Sequence, residues 1–401
     1  MKRWISGLLF FFSLGFSFGF FAARDYRQLH FNAIVADTHN DVLQRAMNGE
    51  DLSVRTAKEH SDLVRMKEGG LDIEIFSIWA PPDKIPHSYE YANTLIDSLE
   101  SLVRINPDKV GMAYNSEQIH TLVQNGKLAA LMGMEGAHPI EDSLVDEAEE
   151  LKELEHFYQR GIRYITLTWN NSVSWASSAK DETDTAKQIS FKGLTPFGEK
   201  IVRRMNELGI MVDVSHIGEK TFSDVMRVTS QPVIASHSSV YNICPHSRNL
   251  KDEQIRAIAK KGGVIFINFY SGFLDSTYFK KENVLRKKQQ AEMDSLKEHT
   301  GEHWTEHEQE MSTKHTQEMD AIRPPLSLLI DHIDYVAKLV GVDYVGIGSD
   351  FDGVGSLPKE MDDITFLPNI TRELLHRGYA ERDIKKILGE NFLRVFKEVC
   401  H

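Results

Sequence analysis

Short apolar runs alternate with helical patterns along most of the chain, and this alternation constrains the fold more than any other feature. A repeated strand–helix unit places successive strands parallel to one another. Eight such units predict a closed (β/α)8 barrel of the TIM type, an α/β fold. An open doubly wound sheet is less favoured, because no G-x-G-x-x-G motif follows the first run. The predicted strands are Ile34–His39, Leu71–Trp79, Leu128–Glu135, Tyr164–Trp169, Ile210–Ser215, Val233–His237, Val264–Asn268 and Tyr344–Ser349.

Helical patterns fill the intervals between these runs, and glycines stand at several of their ends. We assign residues 31–401 to the barrel domain. From about 280 to 320 the chain is almost entirely charged and polar, which predicts an exposed helical insertion after the seventh strand. The predicted helices include Asp62–Lys67, Asp146–Gln159, Pro196–Leu208, Lys220–Val228, Asp252–Lys261, Leu326–Leu339 and Ile384–Val399.

The N-terminus has the pattern of a targeting segment. Lys2 and Arg3 precede an apolar stretch from Trp4 to about Phe21, and Ser17-Phe18-Gly19 offers a small-x-small cleavage site. Residues 1–23 are therefore predicted to be either a cleaved signal peptide or a retained membrane anchor. Either alternative predicts export to the periplasm or the extracellular space, with membrane contact only through this segment if it is uncleaved.

Composition narrows the classes of partner. Among 401 residues, Asp and Glu number 59 against 46 Lys and Arg, for a net charge of −13. Such an acidic surface repels phosphate backbones, so we expect no nucleic-acid partner. The two cysteines, Cys244 and Cys400, exclude a disulfide scaffold, although they could pair with each other in an oxidising compartment.

Metal-binding side chains stand at the ends of five predicted strands. In a parallel barrel these ends converge on one face, where such enzymes place their chemistry. Imidazoles and carboxylates suit a divalent transition metal, and this set is large enough for two ions that share a carboxylate and hold a bridging hydroxide. Two assignments stay open. Either Asp350 or Asp352, and either Asp41 or Asp37, could be the carboxylate that faces the metals. The candidates are His39 and Asp41, Glu135, His216, His237 and Asp350.

Longer motifs around these residues give the chain a family resemblance. They are DTHND at 37–41, MEGAHPI at 134–140, RYITLTWN at 163–170, DVSH at 213–216, SHSSVYNICPHSRN at 236–249, NFY at 268–270, GIGSDFDGV at 346–354 and GENFLRVF at 389–396. In content and order they resemble the membrane dipeptidase (renal dipeptidase) family, zinc metallopeptidases of the amidohydrolase-like barrel group. The resemblance covers the chain from about Phe31 to Cys400, apart from the polar insertion.

The resemblance implies two zinc ions and a role for each matching residue. It places His39 and Asp41 at the first zinc, His216 and His237 at the second, and Glu135 as the bridging, catalytic carboxylate. It further implies that Arg248 binds the terminal carboxylate of the substrate, that Asp350 is the acid/base, and that Tyr270 supports the pocket wall.

One position departs from the family pattern. The family usually has a histidine after TLT, poised to stabilise the oxyanion, whereas this chain has Trp169. Indole donates one hydrogen bond but carries no charge. Loss of a charged donor could reduce the rate by about 10²–10³-fold. We expect Trp169 to contact the substrate and to alter substrate preference.

These observations predict an exported zinc dipeptidase that hydrolyses the peptide bond of dipeptides. The resemblance also implies tolerance of a D-residue on the C-terminal side. Two alternatives remain: a related binuclear amidohydrolase that acts on cyclic amides or lactams, and a non-catalytic exported peptide-binding protein. A homodimer stays open as the oligomeric state.

Overall fold

The computed structural model describes residues 25–141, 146–300 and 304–400. The predicted signal or anchor, residues 1–23, lies outside the described residues. Among the helices that are described, none is both long enough and apolar enough to cross a membrane.

Eight parallel strands form a nearly closed barrel, as the alternating sequence pattern predicts. They follow the order β1-β2-β4-β5-β6-β7-β8-β9, and β3 pairs with the beginning of β4 outside this order. Two backbone hydrogen bonds join the first strand to the chain after the last: Asp41 N to Phe351 O at 2.9 Å and Asp350 N to His39 O at 3.1 Å. The strands are β1 Ala36–Asn40, β2 Ile73–Trp79, β3 Val110–Met112, β4 Leu128–Glu135, β5 Ile162–Thr166, β6 Met211–Asp213, β7 Val233–Ala235, β8 Val264–Ile267 and β9 Val345–Ile347.

Helices surround the barrel, and a π-helical segment at Lys386–Glu390 joins the last two. They are α1 Tyr26–Phe31, α2 Leu43–Met47, α3 Leu63–Glu68, α4 Ser88–Ile105, α5 Ser116–Gln124, α6 Glu147–Gln159, α7 Ala179–Thr183, α8 Pro196–Leu208, α9 Glu219–Val228, α10 Asp252–Lys260, α11 Ser271–Leu274, α12 Tyr278–Thr300, α13 Trp304–Ala321, α14 Leu326–Val340, α15 Pro368–His376, α16 Glu381–Lys385 and α17 Asn391–Val399.

The apolar residues form two buried layers. The larger layer lies between the strands and the surrounding helices and includes Phe76, Met132 and Ile201. The smaller layer fills the barrel itself, where Phe266 packs edge-on against Phe392 of α17. A filled interior leaves the C-terminal ends of the strands as the face that can carry a site.

The polar insertion forms two antiparallel helices, α12 and α13. Lys288 pairs with Glu318 at 2.6 Å, and Glu292 pairs with Lys314 at 2.9 Å, so residue numbers rise along one helix as they fall along the other. Polar side chains thus hold the two helices together, which explains why the segment carries few apolar residues.

Several predicted elements differ in extent from the observed ones. The predicted helix Ile384–Val399 is two α-helices separated by the π-helical segment, and most of the barrel strands are shorter than their apolar runs. The sequence patterns gave no assignment to β3 and α4. Only three residues of β3 pair with β4, a length too short to produce an alternating signal.

Both cysteines are buried thiols with different neighbours. Cys244 Sγ donates to the carbonyl of Gly272 at 3.4 Å, and Cys400 Sγ donates to the carbonyl of Arg163 at 3.6 Å. Each is free in the structure, so the pairing that the sequence left open does not form.

Candidate metal centre

Four predicted donors meet around a fifth, Glu135, at the C-terminal mouth of the barrel. One oxygen, Oε1, lies 2.9 Å from His216 Nε2 and 3.4 Å from His237 Nε2. The other, Oε2, lies 3.6 Å from His39 Nε2, which is also 3.5 Å from Asp41 Oδ2. Glu135 thus presents one oxygen to each half of the cluster, which is the arrangement expected of a carboxylate shared by two ions.

Asp350 joins the same cluster from the end of β9. Its carboxylate lies within 4.8 Å of ligand atoms from both His39 and Asp41. The Asn268 side-chain amide donates to Asp350 Oδ2 at 2.7 Å, which fixes the orientation of the carboxylate. The second oxygen is therefore left to face the cluster.

The donor set fits bound cations. His39 Nε2 and Asp41 Oδ1 are buried atoms without a hydrogen-bond partner among the described residues. Donors of one tetrahedral zinc lie about 3.3–3.5 Å apart, because each is about 2.0–2.2 Å from the ion. The 3.5 and 3.6 Å separations around His39 match that spacing. Imidazole nitrogens mixed with carboxylate oxygens suit zinc.

The electrostatics of the site also favour a cation. Burial raises the pKa of Glu135 to about 7, against the lowering effect of His39, and burial likewise raises the pKa of Asp350. Burial, together with the positive charges of His39 and Arg248, holds the pKa of His237 well below its usual range. Carboxylates destabilised as anions beside a neutral imidazole form a site that a divalent ion would stabilise.

Tyr164 orients His39, and the sequence patterns did not single it out. The Tyr164 hydroxyl donates to the carbonyl of Thr38 at 3.1 Å, so it accepts from His39 Nδ1 at 2.7 Å. This pair of bonds leaves His39 Nε2 free to face Glu135. The Tyr164 ring fits only because residue 133 is glycine: a Cβ on Gly133 would lie 1.9 Å from the ring.

Asp213 and Ser236 orient His237 in a similar way. Asp213 Oδ2 accepts from Ser236 Oγ at 2.6 Å, and Asp213 Oδ1 accepts from Ser236 N at 2.8 Å. Because the serine proton is donated to Asp213, Ser236 Oγ accepts from His237 Nδ1 at 2.8 Å. The Nε2 of His237 then faces the cluster, 3.0 Å from His216 Nε2 and 3.4 Å from Glu135 Oε1. The DVSH and SHSS motifs, which lie at the ends of neighbouring strands, are the sequence feature from which the roles of Asp213 and Ser236 could have been predicted.

Two site residues adopt a backbone conformation that is uncommon for side chains other than glycine. The φ angles of His216 and Asp350 are +65° and +64°. Such conformations cluster at functional sites, where the surrounding structure holds them in place. Here each follows the end of a barrel strand and turns its side chain toward the donors.

The two competing acids lie outside the donor cluster. Asp352 is ion-paired with Arg45 at 3.0 Å and accepts from the Ser61 hydroxyl. Asp37 accepts from the backbone N–H of Ser349 at 2.7 Å and from its hydroxyl. Both carboxylates are engaged by these other partners, so the geometry favours Asp350 and Asp41 as the residues that face the cluster.

Arg248 lies beside the donors with most of its hydrogen-bonding capacity unused. It makes two long bonds, from Nη2 to the carbonyl of His237 at 3.3 Å and from Nη1 to Ser238 Oγ at 3.4 Å. Its Nε is buried without a partner. A cavity of about 250 Å³ opens between Arg248 and His216. A buried guanidinium with free donors beside a cavity is suited to bind a carboxylate.

Trp169 and Tyr270, the two other predicted pocket residues, occupy different places. Trp169 lies at the cluster, with its ring centroid 6.4 Å from that of His216. Tyr270 packs edge-on against Phe273, whose ring lies 5.5 Å from the guanidinium carbon of Arg248. Tyr270 therefore supports the wall behind Arg248. The functional roles of all the predicted site residues stay predictions.

Comparison with known proteins identifies similar sequences and structures. The family profile described as membrane dipeptidase (peptidase family M19) matches residues 23–401. An uncharacterized dipeptidase of Schizosaccharomyces pombe is 28% identical over 397 residues, covering 94% of this chain and 83% of that protein.

Solved structures share the fold. The probable dipeptidase PvdM of Pseudomonas aeruginosa is 27% identical, with a TM-score of 0.75 over 93% of this chain and 97% of that chain. A metallopeptidase of Rhodobacter sphaeroides, liganded with a phosphinate mimic of the dipeptide L-Ala-D-Ala, is 23% identical, with a TM-score of 0.73 over 92% of this chain and 100% of that chain. The barrel prediction is confirmed.

Gly353 gives a test of the donor cluster. A Cβ at this position would lie 2.2 Å from Asp41 Oδ2 and 2.6 Å from Asp350 Oδ1, whereas a Cβ on Gly355 would meet nothing within 4 Å. We expect Gly353→Ala to displace both carboxylates and to weaken zinc binding about 10- to 100-fold. Competition with a chromophoric chelator measures this affinity, with Gly355→Ala as the matched control. Equal affinities in the two variants would contradict the assignment of these carboxylates.

Proposed function

Because the chain belongs to the membrane dipeptidase family, peptidase family M19, and is thus a metallodipeptidase, we propose that it is an exported, two-zinc enzyme acting on dipeptides. The observation that carries this proposal is the convergence of three imidazoles and two carboxylates at the barrel mouth, beside a buried arginine with free donors.

Two groups of residues would hold the ions. His39 and Asp41 would bind one, His216 and His237 the other, and Glu135 would contribute one oxygen to each. Bound there, zinc would supply a nucleophilic hydroxide near neutral pH and would polarise the scissile carbonyl.

Arg248 fixes the direction of the substrate. Its unpartnered Nε and the free N–H groups of its guanidinium can donate a bidentate pair of hydrogen bonds to the terminal carboxylate of a dipeptide. The cavity between Arg248 and His216 has room for a small group, about 250 Å³. Dipeptides are therefore favoured. In a peptide with a longer C-terminal extension, an amide would replace the free carboxylate that pairs with Arg248.

Asp350 moves the proton in the proposed reaction. Asn268 holds its Oδ2, so Oδ1 is the atom that accepts the proton of the attacking water and delivers it to the leaving amine. A Cβ at position 353 would lie 2.6 Å from this oxygen, so Gly353 leaves the space that the carboxylate occupies. A base fixed at one oxygen transfers the proton along a single direction.

Tolerance of a D-residue on the C-terminal side is part of the proposal. The similar Rhodobacter sphaeroides protein is liganded with a mimic of L-Ala-D-Ala, which supports it. Arg248 contacts only the terminal carboxylate of the substrate. The adjoining cavity has space for a small side chain on a C-terminal residue of either L or D configuration.

Metal removal tests the proposed reaction. We expect purified enzyme to hydrolyse L-Ala-L-Ala and L-Ala-D-Ala, to lose at least 10²-fold in rate after chelation, and to recover when zinc is restored, since the hydroxide depends on the ions. The released alanine is measured by amino-acid analysis. Full activity after complete chelation would refute the metal requirement, and absence of hydrolysis by the zinc-loaded enzyme would refute the dipeptidase assignment.

Arg248→Lys tests the recognition of the carboxylate. A lysine keeps the charge but loses the planar fork, so we expect kcat/KM for the free dipeptide to fall about 10- to 100-fold. A C-terminally amidated dipeptide should be a poor substrate of the native enzyme. Its kcat/KM should fall little further in the Arg248→Lys variant. The exposed Arg256→Lys change is the control. If amidation leaves turnover unchanged in the native enzyme, the arginine does not read a carboxylate, and an amidohydrolase of cyclic amides becomes the better reading.

Export is tested on the full chain in its natural host. The charged start at Lys2 and Arg3 and the apolar stretch that follows it support export. We expect the protein outside the cytoplasm, either shortened near Gly19 or bound to the membrane at full length. Cell fractionation and intact mass separate these two forms. A full-length chain in the cytosolic fraction would contradict export.

A further inference from the structure

Two tryptophans form one side of the barrel mouth. Trp79 ends β2 and is paired in register with Glu135 of the neighbouring strand β4. Trp169 follows β5, on the other side of β4. Their ring centroids lie 5.1 Å apart, with the planes inclined at 56°. The indoles of Trp79 and Trp169, here called the tryptophan pair, therefore meet above the strand that supplies the central carboxylate.

The tryptophan pair faces the site. Residues paired in register on neighbouring parallel strands point to the same side of the sheet, so Trp79 shares the face of Glu135. The Trp169 ring lies 6.4 Å from the ring of His216. Both tryptophans are half-buried, so part of each ring is open to a ligand. Broad ring faces beside the donors can take up apolar surface from a substrate.

The position of Arg248 determines which part of a dipeptide reaches these rings. Arg248 follows β7, which is three strands from β4 in the barrel order. Two extended residues span about 7 Å. With the terminal carboxylate at Arg248 and the scissile carbonyl at the donors around Glu135, the N-terminal residue extends toward the tryptophan pair.

We propose that the tryptophan pair is the specificity determinant for the N-terminal residue, and that it selects dipeptides with a large apolar side chain there. This inference rests on the proposed dipeptidase function. Burial of a leucine or phenylalanine side chain against the open ring faces favours binding by about 10- to 100-fold over glycine. Trp169 occupies the position at which the family resemblance places a histidine, so the preference is a property of this chain.

Kinetics with matched substrates tests the proposal. The ratio of kcat/KM for L-Phe-L-Ala to that for Gly-L-Ala should be at least 10 in the native enzyme. Trp169→Ala and Trp79→Ala should each lower this ratio at least 5-fold, and Trp169→Phe, which keeps an aromatic ring, should retain most of it. Trp175→Phe is the control, because Trp175 is fully buried, at 1% exposure, with its ring against Gly198 of α8.

A binding measurement separates specificity from rate. Two phosphinate dipeptide mimics that differ only in a benzyl group or a hydrogen at the N-terminal position are titrated by calorimetry. We expect the benzyl compound to bind at least 10-fold more tightly to the native enzyme, and the difference to shrink in Trp169→Ala and not in Trp175→Phe.

The outcomes distinguish two failures. If the zinc-loaded native enzyme hydrolyses neither dipeptide, the dipeptidase function itself is wrong. If it hydrolyses both with a ratio near 1, or if the Trp169→Ala and Trp79→Ala variants keep the native ratio and the native difference in binding, the tryptophan pair does not select the N-terminal residue.

Discussion

The burial of one carboxylate, Glu135, among three imidazoles is the constraint on which the rest of the site depends. A buried carboxylate without a compensating charge is costly, and here burial raises its pKa to about 7. In the same cluster, burial holds the pKa of His237 well below its usual range, so this imidazole is neutral. His39 Nε2 has no hydrogen-bond partner among the described residues. A bound cation would stabilise the ionised carboxylate and accept the lone pairs of the two imidazoles, so the arrangement favours metal binding.

The barrel makes this arrangement rigid. Parallel strands deliver the donors from the ends of β1, β4, β6, β7 and β9 to a single mouth, and hydrogen bonds from beneath set the direction of the His39 and His237 imidazoles. Tyr164 spans the barrel interior to reach His39, while the Asp213–Ser236 pair holds His237 from the adjacent strands. Side chains fixed in this way lose little further conformational freedom when a ligand binds, which favours both metal affinity and reaction.

Sequence reasoning reached the fold and the donor cluster because both depend on local patterns. The run Leu128–Glu135 coincides with β4, and an acid or a histidine after an apolar run indicates the functional end of a barrel strand. What it could not reach depends on contacts between distant segments. In the sequence, Tyr164 cannot be told from any other strand residue, because its role depends on contacts with Gly133 and His39. The position of Trp79 beside the site likewise depends on its register with Glu135. The choice between Asp350 and Asp352 likewise required the partner Arg45.

The most direct test of the account is a crystal structure of the zinc-loaded protein with an anomalous difference map at the zinc absorption edge. We predict two peaks about 3.5–4 Å apart, one between His39 and Asp41 and one between His216 and His237, with Glu135 beside both. A map with no peak at Glu135, or with zinc bound only to other residues, would contradict it.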